Sequence, residues 1–406
     1  MRRIKAGAFI FLIFVLFEAN SQGLIGSDTT NRVITTAVPF MTIGPDARSG
    51  GMGDVGVAIS PDANTIHWNV AKLALIEDDI GFSLSYTPWL TNLGINDMSI
   101  SFLSGYMRIN KEQTVGIALR YFDLGDFQFT DDNAQIIQDF NPREFSFEGS
   151  YSRLLSKNMT IGITLKFIYS NLTGNVFTST DESQAGTSFA GDLGWYWNKD
   201  INLIGANTNL ALGATITNIG AKMTYSNDAQ KEFIPTNLRI GSTLTTELDP
   251  YNKFSFSIDM NKLMVPTPPI YEVDENGNIV YDQNGDPVIR KGKDPDRGLI
   301  SGMFGSFADA PDGFPEEIHE MMWSFGLEYW YNNTFAARTG YFHEHKTKGN
   351  RKYFTFGLGF RYNVFGIDFA YLVPTQYNHP LAETLRFSLH FDFNKNKPAE
   401  SVTDQN

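Results

Sequence analysis

The 406-residue chain contains no cysteine. Disulfides, thiolate nucleophiles and thiolate metal sites are excluded, so an exported chain of this size must draw its stability from a sheet or a packed core. Long apolar runs are also lacking. Beyond residue 17 no stretch approaches the ~18 apolar residues of a membrane-spanning helix. Excess positive charge is missing too. The formal net charge of −13 argues against a nucleic-acid partner. No Gly-x-Ser-x-Gly element or comparable nucleophile setting occurs, and the sequence points to no catalytic residue, no cofactor and no metal.

What the chain has is alternation. Met159, Ile161, Ile163, Leu165, Phe167 and Tyr169 fall on one face of an extended segment, and Thr160, Gly162, Thr164, Lys166 and Ile168 on the other. A period of two means a β-strand. Fourteen segments qualify: 79–87, 95–107, 113–122, 144–156, 158–171, 186–199, 208–220, 236–248, 252–263, 320–332, 334–344, 349–364, 366–373 and 383–393. Strands of about 9–11 residues, apolar outside and polar inside, mark a transmembrane β-barrel. The connections agree, because every second one is mostly short and the others mostly long, up to 264–319. The connections 200–207 and 345–348 blur this rule. The expected fold is all-β: a 14-stranded antiparallel transmembrane β-barrel over 79–393, with residues 22–78 as a hatch in its lumen. The last strand ends on Phe393, and a polar tail, 394–406, follows.

The N-terminus reads as a secretory signal peptide, residues 1–21. Arg2, Arg3 and Lys5 precede an apolar run over 6–17, and Ala19-Asn20-Ser21 is a small-x-small cleavage site. A retained anchor is the alternative. The expected destination is the outer membrane, in contact with its lipid. Charges of both signs fall on interior positions, among them Arg120, Glu148, Lys166, Asp192, Asp259, Glu328, Arg338, Asp368 and Arg386. They read either as salt bridges cross-linking the lumen or as a selectivity ladder. Mixed sign and the hatch favour a plugged barrel.

The most specific stretch is 44–75, in which Gly44, Gly50, Gly51, Gly53 and Gly56 permit sharp turns and close approach to a wall. It resembles the hatch of the long-chain fatty-acid transporter superfamily. Gly44, Arg48, Gly51, Met52, Gly53, Gly56, Val57 and Ala58 match the first part of the hatch motif, and Asp62, Ala63, Asn69, Ala71 and Leu73 the second. Val70 stands where proline is usual. Within the superfamily, residues 33–58, 67–74 and 84–90 are most similar to the barrel proteins of the type IX secretion system of Bacteroidota. That resemblance implies no catalytic residues. It implies partners: the C-terminal signal domains of secreted proteins, a large outer-membrane translocon channel, and a surface attachment complex with a sortase-like protease. The alternative is a channel for long-chain fatty acids or other hydrophobic molecules.

Two loops hold candidate partner contacts. Trp89 and Leu90 stand at the tip of the first, where Trp89 also suits an interfacial aromatic belt. Loop 264–319 opens on a stiff stretch with Pro266, Pro268, Pro269 and Ile270. The steps Asn276-Gly277 and Asn284-Gly285 then predict a projecting β-hairpin. Asp274 and Asp282 head sequences whose spacing departs from calcium loops, so turn chemistry explains them better. Phe304 and Phe307 lie beyond, positioned to cover the barrel mouth or a partner. His343-Glu344-His345 reads as a solvated strand end.

Overall fold

The computed structural model describes residues 31–130, 136–172, 184–203, 205–225, 231–376 and 379–394. The expected signal peptide and all but the first residue of the polar tail lie outside them. The chain divides after Asn31 into two units, and the barrel with its lumen belongs to the second.

Fourteen strands form a closed barrel: β1 Ile80–Pro88, β2 Ser99–Asn110, β3 Gln113–Asp123, β4 Arg143–Ser156, β5 Met159–Asn171, β6 Gly186–Leu203 and β7 Ala206–Gly220, then β8 Asn237–Glu247, β9 Asn252–Leu263, β10 Met322–Tyr331, β11 Phe335–His343, β12 Lys352–Tyr362, β13 Phe365–Pro374 and β14 Leu385–Phe393. Each pairs antiparallel with its sequence neighbours, and β1 closes on β14 with Phe82 opposite Phe391. Closure removes both sheet edges, the condition for a sheet to stand in hydrocarbon. All fourteen expected strands are present. The second starts four residues later than expected, at Ser99. The longish turn expected over 200–207 is corrected: β6 runs on to Leu203 and only two residues separate it from β7.

The period of two sorts every strand. In β5, Thr160, Gly162, Thr164, Lys166 and Ile168 are buried, whereas Leu165 stands 71% exposed. A belt of such residues around the wall, with Phe189 at 72% and Ile117 at 62%, would be costly in water and suits lipid. Tight turns join the strands at one end. Asn332 and Asn333 both take positive φ (51° and 49°), as a type I′ hairpin demands. The long connections emerge at the other end, which by the rule for outer-membrane barrels faces the cell exterior.

The lumen is filled. Residues 32–79 enter at the long-loop end and leave at the tight-turn end to begin β1. They carry two short helices, α1 Ala47–Gly50 and α2 Thr65–Trp68, and a 3-10 turn over Val70–Leu75. Met52, Val55 and Ile59 form one buried cluster, and Ile66, Val70 and Leu73 pack with Phe102, Tyr106 and Ala118 of the wall in another.

Candidate functional site: a plugged lumen and its outer mouth

Arg48 is the centre of the plug. It lies on α1, whose N-terminus is capped by the Asp46 carboxylate accepting from Ser49 N. From there its guanidinium forks onto Glu328 of β10 (Nε to Oε2 3.0 Å, Nη2 to Oε1 2.9 Å). It also donates to the Ser60 carbonyl (3.0 Å) and to Asp62 (3.1 Å). Glu328 accepts a further bond from Arg338, its cross-strand neighbour on β11 (2.7 Å). Arg338 reaches Asp368 of β13 (2.8 Å), which also takes Arg361 of β12 (2.6 Å) and His390 of β14 (2.8 Å). Three guanidiniums meet three carboxylates, and the plug is tied to five consecutive strands. Bidentate pairing of this kind is specific in geometry as well as strong. Trp330 stands between the two wall arginines, with Arg338 at 5.3 Å and Arg361 at 5.6 Å from its ring centre.

Further anchors hold the rest. Asp259 of β9 accepts from the Gly56 and Val57 amides (2.7 and 2.9 Å). Asp54 pairs with Arg386 and accepts from the Tyr353 hydroxyl. Arg120 of β3 donates to the carbonyls of Phe40, Met41 and Ile43 and meets His67 Nδ1 at 2.6 Å. A guanidinium has no acceptor, so Nδ1 is the unprotonated nitrogen. Asn69 donates to the carbonyls of Val57 and Trp195 and accepts from Ala71 N, which starts the 3-10 turn without the usual proline at Val70. Lys72, fully buried, donates to the Gly56 and Ile59 carbonyls.

The motif glycines mark close approach. Gly53 has φ +71° and presses on β11, where a Cβ on Gly340 would fall 2.1 Å from the Met52 carbonyl carbon. A Cβ on Gly56 would overlap the Trp68 ring, one on Gly44 would crowd Asp54 and Trp68, and one on Gly51 would meet Gly357. Gly44, Arg48, Gly51, Met52, Gly53, Gly56, Asp62 and Asn69 are thus brought together in one plug. At the tight-turn end a vestibule of about 400 Å³ has Arg48, Glu328, Arg361 and His390 in its lining.

The outer mouth is assembled from loops. Trp89 packs edge-on against Phe122 (6.4 Å), and Leu90 takes φ +56°. Pro266 and Pro269 are buried, while Pro268 and Ile270 are half-buried. The Asn-Gly segment is bracketed by antiparallel strands, Ile270–Tyr271 and Ile289–Lys291. Between these strands stand two successive tight turns, each closed by an antiparallel bridge, Val273 with Ile279 and Tyr281 with Pro287. Each turn is organised by one carboxylate: Asp274 accepts from the Asn276 and Asn278 amides, Asp282 from Asn284 and Asp286. Gly277 and Gly285 supply the positive φ. In the helical part, α3 Leu299–Gly305 and α4 Phe314–His319, Met303 is buried, Phe304 is 62% exposed, and Phe307 lies under the Lys262 ammonium at 5.4 Å. His345 stacks on His319, ring centres 3.6 Å apart.

A charge cluster at this mouth was not singled out by sequence. Glu316, Glu317 and Glu320 are buried. Glu316 binds Arg32 (2.8 and 2.7 Å) and Lys348 (2.7 Å), Glu320 binds Lys348 (2.8 Å) and the Thr267 hydroxyl (2.6 Å), and Glu317 binds Lys262 (3.1 Å). Burial pushes the Glu316 carboxyl up, but the bonds from Arg32 and Lys348 outweigh it and hold the group at about 2. Three acidic residues close together on and beside a short helix are a local signal. Their cationic partners are up to 284 residues away and leave none.

A family model described as type IX secretion system protein PorV matches residues 26–270. No curated protein matches. Among solved structures, the toluene transporter TbuX of Ralstonia pickettii is 12% identical, covers 88% of this chain and 100% of its own, and has a TM-score of 0.46. The toluene transporter TodX of Pseudomonas putida is 14% identical over 86% and 96%, TM-score 0.46. A FadL homologue of Pseudomonas aeruginosa is 11% identical over 90% and 100%, TM-score 0.42.

Proposed function

The chain belongs to the family of the type IX secretion system protein PorV, an outer-membrane barrel, and from that premise we propose that it is a cargo carrier. It binds the C-terminal signal domain of secreted proteins, takes them over at the large translocon channel and delivers them to the surface attachment complex with its sortase-like protease. The single observation that carries this reading is the plugged lumen. Arg48, Asp54 and Arg120 fasten residues 32–79 to the wall through buried, charge-assisted bonds. With the lumen filled, a partner of protein size docks on the surface, and the insertion between β9 and β10 builds a folded platform at the outer mouth. Such a carrier needs no catalytic group and no cofactor.

The competing reading, a channel for fatty acids or other hydrophobic molecules, needs an apolar path past the plug. The vestibule at the tight-turn end is lined instead by a mixed set that includes the charged side chains of Arg48, Asp62, Glu328 and Arg361. The test is binding of a purified C-terminal signal domain to the barrel in detergent, set beside uptake of labelled fatty acid into proteoliposomes. The carrier reading expects the first and not the second.

A further inference from the structure

Residues 33–36, Val-Ile-Thr-Thr, lie across the outer mouth ahead of the plug. The stretch is pinned at both ends. Arg32 N donates to the Thr347 carbonyl, and its side chain is held by Glu316 and Asp312; Ala37 N donates to the Phe233 carbonyl. Between the pins, exposure alternates with the period of an extended chain: Val33 and Thr35 exposed, Ile34 and Thr36 half-buried. Among the described residues the backbone N–H and C=O groups of 33–36 make no hydrogen bond to other backbone. All four side chains are β-branched, and no charge occurs from Val33 to Pro45.

An exposed, uncharged, β-branched stretch with open backbone groups is an edge that proteins normally blunt with lysine, proline or a bulge. Here it is kept, and pinned at Arg32 and Ala37 by contacts outside itself. We propose that residues 33–36 form a β-edge that takes an extended segment of the cargo's C-terminal signal domain as an added strand. This rests on the carrier reading and names how it is carried out. Strand addition reads backbone first. One edge therefore serves cargo of differing sequence, as a carrier requires. Pinning also lowers the ordering cost of docking, because the edge is already extended.

The experiment uses the full-length barrel in detergent and a fluorescently labelled C-terminal signal domain as probe. Neighbouring amides of an extended chain point to opposite sides, so Thr35→Pro and Thr36→Pro each remove one side's donor. One of the two is expected to weaken binding by about tenfold or more, while Thr35→Val, which keeps the amide, binds like wild type. Heat-modifiable gel mobility checks that each barrel is folded. In a separate protein with wild-type backbone, a photo-crosslinking residue at Val33 is expected to capture the probe. Wild-type affinity in both proline variants, or binding without crosslinking at Val33, overturns the β-edge and leaves the carrier reading standing. A wild-type barrel that does not bind the probe at all overturns both.

Discussion

Arg48 and Glu328 form the pair on which the plug turns. Both are largely buried, so removing one leaves a charge without its partner at the inner wall of the vestibule. Truncating one side of such a pair costs about 3–5 kcal/mol. Arg338 still faces Glu328, which places Arg48→Ala at the lower end. The variant should unfold at a clearly lower temperature in the gel-shift assay, and Glu328→Gln, which removes the stranded charge, should recover part of the loss in the double mutant. Glu316 gives a pH prediction. Its folded value, about 2, lies below the ordinary carboxylate value. The stabilisation is therefore complete above the unfolded pKa, near 4.3, and fades as pH falls towards 2. The melting difference between wild type and Glu316→Gln should be present at pH 7 and shrink steadily below pH 4.

The plug and the wall meet through glycine. Gly326, Gly340 and Gly357 sit inward on β10, β11 and β12 and receive the backbone at Gly51 to Val55. Gly340→Val has no room at 2.1 Å from the Met52 carbonyl carbon and must push the plug off the wall. The expected outcome is a barrel that still shifts on heating but is cut by trypsin at Arg48, which is buried in the wild type. The strands were legible because a barrel repeats one rule along the whole chain: inside polar or small, outside apolar. The plug was legible as a unit because its glycines and matched motif are contiguous. Its wall partners were not. Arg48 and Glu328 stand 280 residues apart, and alternation shows that Glu328 points inward without showing whom it meets. Lys72 carried no signal, since a lysine in a helical turn normally reaches water. In the double turn over 273–287 the two Asn-Gly steps lie too close together for alternation to show that each makes a turn of its own.

Taken whole, the barrel is a membrane anchor with a filled lumen and a folded outer platform. The two tight turns of that platform are exposed and lie outside the charge cluster of Arg32, Lys262, Glu316, Glu317, Glu320 and Lys348. Replacing residues 272–288 by a short Gly-Ser linker should leave barrel assembly and melting unchanged, whereas Lys348→Ala should loosen the mouth and lower the melting temperature. The carrier reading stands or falls on what travels with the barrel. The most direct measurement is to purify it by a tag from detergent-solubilised outer membranes and identify its companions by mass spectrometry. A carrier should bring down secreted proteins that share one C-terminal domain, together with a very large barrel. A lone barrel holding only fatty acid or lipid would contradict a role in carrying protein.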